Sequence, residues 1–201
     1  MHASFHLEVQ ALPRILIWDQ PVSDDQLEAL CAANQGFRFE RTKEGEIRVN
    51  PPTELSTSDG NAEIIHQLRL WWKSHRKGKV ADSNAGFYLK DGSMLSPDAA
   101  FLTPATLASA PAAAKGLPRL CPDFVIELLS RSDSLPDARA KMIDWIANGV
   151  ALGWLIDPYD RQVLIYKPGT ETLIVTGNSL SGSGPVEGFA LDLAEVWQCY
   201  E

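Results

Sequence analysis

Cysteine is scarce in this 201-residue chain: Cys31, Cys121 and Cys199 are the only three, and they are widely spaced. They make no CxxC pair and no zinc spacing with His2, His6, His66 or His75, which argues against a disulfide framework or a cysteine–histidine zinc module. Buried thiols in a reducing compartment are expected, with a reactive Cys121 as the alternative. Long apolar runs are missing too. No stretch approaches the roughly 20 residues that cross a bilayer. The N-terminal MHASFHLEVQALPR lacks the charged start and apolar core of a secretory signal, so a cytoplasmic protein is expected. Positive charge is in deficit: 18 Lys and Arg against 26 Asp and Glu give a formal net charge of −8. That disfavours indiscriminate nucleic-acid binding and leaves room for a local basic groove. Finally, GxSxG, P-loop, HExxH and GxGxxG patterns are all absent.

What is present is an ordinary globular composition, 45% hydrophobic and 22% charged. The length predicts one domain over 1–201. Within it a helix and hairpin occupy about 14–55, a core about 58–158, and a hairpin and short helix 159–201. RILIW at 14–18 reads as a short strand. Residues 23–33 read as a helix capped by Ser23, with Asp24 and Asp25 in its first turn. FRFER and EIRV alternate in the manner of a hairpin around TKEG. Ile64, Leu68, Trp71 and Trp72 recur at helical spacing, predicting a helix over 60–75 capped by Ser58 or Asp59.

Short strands follow at GKVAD and GFYLK, with an Asp91-Gly92 turn. Then come a strand at 98–103 and, over 104–120, a short helix and loop. The strand 123–130, the helix 136–148 and the apolar strand 152–157 form a strand–helix–strand unit, which implies a parallel pair covered on both faces. QVLIYKP and TLIVT read as a hairpin, and the tail as a short helix. The class is mixed α/β (α+β): a central mixed sheet flanked by helices, with additional β-hairpins.

One residue breaks the apolar run of CPDFVIELLS: Glu127. A carboxylate buried alone costs several kcal/mol, so it shifts its pKa, finds a partner or binds a metal. Asp98, which opens the preceding strand, is the natural companion, because adjacent strands can bring the two together. A carboxylate pair on rigid strands suits Mg²⁺, which activates water and offsets charge on a phosphoryl group. The competing reading has Asp98 in a turn and Glu127 paired with a buried Arg or Lys, Arg131 and Arg139 being candidates. Lys141 borders the stripe of Ala138, Met142 and Trp145; it either reaches over the sheet toward Glu127 or is solvated. Glu63 lies off the centre of its helix face and reads as a solvated first-turn acid. Gln67, Ser130, Ser132 and the basic cluster at 73–79 are weaker candidates.

The blocks GNAEIIHQLRLWW, GKVADSNAGFYL, SPDAAFL, CPDFVIELLSRSDS, KMIDWIANGVALGWLIDP, VLIYKPG and SLSGSGPVEGFALDLAEVW, in that order, resemble the Uma2 (DUF820) endonuclease family of the PD-(D/E)XK, restriction-endonuclease-like superfamily. The resemblance spans about residues 20–198. It implies a metal-dependent endonuclease acting on phosphodiester bonds, with DNA as the expected substrate and Mg²⁺ or Mn²⁺ as cofactor. Asp98 matches the aspartate of the PD motif and Glu127 the acidic residue of the next strand, and the resemblance implies that these two hold the metal. The motif lysine would stand at 129, where this chain has Leu129; its role matches Lys141. Glu63 matches a frequent helix carboxylate of the superfamily. A homodimer is implied by the same resemblance. The alternative is a catalytically inactive nucleic-acid- or protein-binding module on this fold.

Overall fold

The computed structural model describes residues 14–16, 20–110 and 116–201. The chain runs β1 (Arg14–Leu16), α1 (Asp24–Ala33), β2 (Arg38–Arg41), β3 (Ile47–Asn50), α2 (Leu55–His75), β4 (Lys79–Asp82), β5 (Phe87–Tyr88) and β6 (Met94–Leu95). It continues with β7 (Ala99–Leu102), α3 (Pro104–Ser109), β8 (Phe124–Leu128), α4 (Leu135–Asn148), β9 (Leu152–Asp157) and β10 (Gln162–Tyr166). Last come β11 (Leu173–Thr176), β12 (Ser179–Ser181), a 3-10 turn at Gly184–Val186, β13 (Ala190–Asp192) and α5 (Leu193–Gln198). Of the strand expected at 14–18, Arg14–Leu16 forms; positions 17 and 18 lie outside the described residues.

Six strands in the order β11-β10-β9-β8-β7-β4 make the central sheet, in which β8 and β9 run parallel and every other pair is antiparallel. The parallel pair is joined through α4, as a crossover connection requires. Strand residues alternate between faces. Phe124, Ile126, Leu128, Trp154 and Ile156 join Ile64 and Leu68 of α2 and Trp197 of α5 in one core. Val125, Leu129 and Leu155 join Met142 and Trp145 of α4 in the other. The middle strands β8 and β9 are therefore buried on both sides, which explains their continuous apolar runs.

The hairpin of β2 and β3 does not extend this sheet. It pairs with β1 and, through Arg41 opposite Met94, with β6, so the order β1-β3-β2-β6-β5 makes a separate five-stranded sheet. One face of it packs Phe39, Ile47 and Val49 on Leu27 of α1. Ser23 closes a full capping box on α1, its hydroxyl accepting from Gln26 N–H while the Gln26 side chain accepts from Ser23 N–H.

Helix α2 departs from expectation. It begins at Leu55, after Glu54, rather than at a Ser58 or Asp59 cap. Gly60, expected as the first residue of this helix, lies inside it. A Cβ there would stand 3.1 Å from Leu128 Cδ2 and 3.1 Å from the Tyr200 ring, so close packing on β8 explains a residue that otherwise costs a helix about 1 kcal/mol. Cys121 is mostly buried, and burial pushes its thiol up to about 12, which leaves it little thiolate at neutral pH.

The link from α2 to β4 is set by Gly78. Trp72 Nε1–H donates to its carbonyl at 3.0 Å, its φ is +78°, and a Cβ would collide with the Leu102 carbonyl of β7. Gly78→Ala is expected to cost about 1–3 kcal/mol and to lower Tm by several degrees in thermal unfolding; an unchanged Tm contradicts this packing.

Candidate active site

Asp98 stands one residue before β7, and Ala99 pairs with Ile126 in the antiparallel register with β8. Position 98 therefore falls opposite Glu127, and period-two alternation turns both side chains to the α4 face of the sheet. Asp98 is oriented by the backbone: its Oδ2 accepts Leu128 N–H at 2.9 Å. Glu127 is held from α4. Trp145 Nε1–H donates to Oε1 at 2.8 Å, and Lys141, one helical turn earlier, places Nζ 2.9 Å from Oε1 and 3.0 Å from Oε2. Helical spacing of four thus sets both partners on the one carboxylate.

A third carboxylate completes the cluster. Glu40 of β2 lies 2.9 Å from Lys141 Nζ, accepts Ser96 N–H at 2.8 Å and accepts Asn50 Nδ2–H at 3.3 Å. Lys141 also donates to the Ser96 carbonyl at 2.9 Å. Arg38, two residues before Glu40 and on the same face of β2, donates from Nη1 to Asp98 Oδ1 at 3.2 Å. Asp98 and Glu127 are each 7% exposed and Glu40 3%, so these charges lie in a medium that penalises each one left uncompensated.

Three carboxylates face two cations. Burial pushes Glu127 up, Lys141 opposes it, and the Asp98 and Glu40 charges add to the rise, leaving Glu127 at about 7. Burial also pushes Glu40 up, but the Lys141 and Arg38 charges with hydrogen bonds from Lys141 and Ser96 outweigh it and hold Glu40 below the usual range. Lys141 is pushed down by burial and up, more strongly, by Glu127 and Glu40, so it stays charged. The cluster is one positive charge short, and Glu127 carries the deficit. Among the described residues no group of three or more His, Cys, Asp and Glu side chains could hold a metal ion. Asp98 and Glu127 are a two-carboxylate donor set, which fits Mg²⁺ with its retained waters better than Zn²⁺ or Ca²⁺ in a full protein cage.

The cluster forms the floor of a cavity of about 950 Å³ between the two sheets. The structure brings together three of the four residues singled out from sequence: Asp98, Glu127 and Lys141. Glu63 stands apart. It is in the third turn of α2 rather than the first, it does not line the cavity, and its Oε1 accepts Gln67 Nε2–H at 2.9 Å. From α2 it is Thr57 and Asn61 that line the cavity, and Thr57 Oγ1 and Asn61 Oδ1 are buried without hydrogen-bond partners among the described residues. The spacing 57, 61, 64, 68 shows why: these two are the polar start of the buried stripe that continues as Ile64 and Leu68.

Gln67 is structural, bonding both backbone groups of Asp192. The Ser130 hydroxyl donates to Asp133 and lies 3.0 Å from that of Ser132, bracing the loop into α4. Arg131 lies on the surface 3.7 Å from Glu54, so the cation on Glu127 is Lys141. The residues missed from sequence are Arg38 and Glu40. Their alternation in FRFER was visible; that their face turns to the cavity was not.

The fold places the chain in the class of nuclease-like α+β proteins. A crystal structure described as a putative nuclease belonging to DUF820, from Anabaena variabilis ATCC 29413, matches with a TM-score of 0.69 at 21% identity, covering 81% of this chain and 91% of that one. That likeness is one of fold. The family model of Uma2, described as putative restriction endonuclease, matches residues 24–194, and the chain belongs to the Uma2 family. No curated protein matches it. No helix among the described residues is long and apolar enough to cross a membrane.

Glu127 gives a pH signature. Its folded pKa, about 7, lies above the ordinary 4.5, so the folded state holds the proton more tightly than the unfolded chain. The resulting stabilisation is full below about 4.5 and is lost as pH rises through about 7. In urea unfolding with EDTA present, wild type should lose on the order of 1–3 kcal/mol relative to Glu127→Gln between pH 5 and 8. Parallel profiles for the two proteins contradict the shift.

Proposed function

We propose that this protein is a metal-dependent endonuclease that hydrolyses phosphodiester bonds in nucleic acid, with DNA as the expected substrate. The observation that carries the reading is the buried pair Asp98 and Glu127, opposed across β7 and β8 on a cavity floor that is one positive charge short. Asp98 and Glu127 would hold Mg²⁺ or Mn²⁺. Bound there, such an ion supplies Lewis acidity, lowering the pKa of a water and offsetting charge on phosphoryl oxygens.

The chain's own groups do the rest. The Leu128 N–H fixes the Asp98 carboxylate, and the Trp145 N–H fixes that of Glu127, so neither has to reorganise when substrate arrives. Lys141 stays charged beside them and provides a fixed positive centre for charge that develops at phosphorus. The two sheets screen the floor from bulk water, which strengthens each of these interactions. No covalent enzyme intermediate is required. A homodimer would present two such sites to the two strands of a duplex.

One observation favours the second reading, an inactive binding module. Arg38 on Asp98, and Lys141 between Glu40 and Glu127, already neutralise most of the acidic charge from within. Plasmid nicking separates the two. Wild type with Mg²⁺ or Mn²⁺ should cut, and Asp98→Asn should cut roughly a hundredfold more slowly or less. Equal cutting by the two proteins removes Asp98 from the site. Binding without cutting by wild type establishes the module.

A further inference from the structure

The polar face of the β2–β3 hairpin forms the wall of the cavity that faces the carboxylates, and its arginines are not fully used by the fold. Arg38 and Glu40 share that face with Arg48 and Asn50, because Arg38 pairs with Asn50 and Glu40 with Arg48 in the strand register. The opposite face of the same strands is apolar and packed on α1. Arg38 makes one contact with Asp98, at 3.2 Å, which is long for a charge-assisted hydrogen bond and is not the two-pronged pairing that guanidinium favours with carboxylates. Its Nε is buried and has no partner among the described residues. Arg48, on the diagonal of the strand pair, has no hydrogen bond or ion pair among the described residues, although it lines the cavity. Diagonal neighbours stand about 7–8 Å apart, comparable to consecutive phosphates of one strand.

Resting on the nuclease reading above, we infer that Arg38 and Arg48 form a phosphate-binding wall that holds the backbone of a nucleic-acid strand against the carboxylate floor, Arg38 turning from Asp98 to a phosphate as the strand enters. A planar fork of donors matches phosphate oxygens two at a time, and the idle Nε of Arg38 gains the partner it lacks. The move also takes the guanidinium off Asp98 as the substrate's negative charge arrives. A net charge of −8 makes such a local wall the more necessary, since the chain as a whole repels nucleic acid.

The test uses the full chain with two readouts, neither of them turnover: Mn²⁺ binding by electron paramagnetic resonance, and binding of a fluorescein-labelled dT oligomer in Ca²⁺. Arg48→Gln should weaken oligomer binding at least tenfold at 0.1 M salt, reduce the salt slope by about one, and leave Mn²⁺ binding unchanged. Arg38→Gln should weaken the oligomer likewise but tighten Mn²⁺ several-fold, because Asp98 loses its guanidinium. Lys43→Gln, which alters an exposed pair with Asp144, serves as the surface control and should change neither. If wild type binds both probes and the two arginine variants match it, the phosphate wall is wrong and the nuclease reading survives. If Arg38→Gln loses Mn²⁺ instead, Arg38 merely holds Asp98 in place, and the exchange is wrong. If wild type binds neither probe, both readings fall together.

Discussion

Everything near the cavity depends on one constraint: a carboxylate, Glu127, stands in the middle of a strand buried on both faces. Removing such a charge from water costs several kcal/mol unless partners surround it. The partners come from three directions. Helix α4 brings Trp145 and Lys141, β2 brings Glu40 to the far side of Lys141, and the Ser96 backbone bonds both Lys141 and Glu40. Lys141 therefore acts as a rivet between the two sheets. The same ammonium group of α4 ties the central sheet, through Glu127, to the hairpin, through Glu40.

That arrangement compensates the charge incompletely, which links stability to chemistry. Here burial pushes Glu127 up to about 7, and the Asp98 and Glu40 charges add to the rise that Lys141 opposes. A buried cluster short of one positive charge, open to a cavity between two sheets, is what a site awaiting a cation and an anionic substrate would present.

Much of this was legible in the sequence, for local reasons. β8, α4 and β9 announced themselves through continuous apolar strands on either side of a helical stripe. Glu127 stood out because it interrupted one of those strands, and the helical wheel put Lys141 at the rim. What was not legible depended on distant packing. Gly60 reads as the first residue of its helix, and only the packing of Leu128 and Tyr200 against it explains a glycine inside one. The hairpin reads as an ornament of the central sheet until Arg41 is found opposite Met94, which places β2 in a different sheet and turns Glu40 and Arg38 into the cavity. Glu63, chosen by likeness, gives way at the cavity to Thr57 and Asn61, one stripe around the helix. The absent motif lysine at Leu129 is also explained: position 129 points its apolar side chain into the core beneath α4, and the ammonium arrives from that helix instead.

The most direct measurement is an anomalous-difference map from a crystal soaked in Mn²⁺. The expected result is one strong peak bound by carboxylate oxygens of Asp98 and Glu127, with Lys141 still beside Glu127. A map whose Mn²⁺ peaks lie only elsewhere, with Arg38 and Lys141 unmoved on their carboxylates, would contradict a metal site at this cluster.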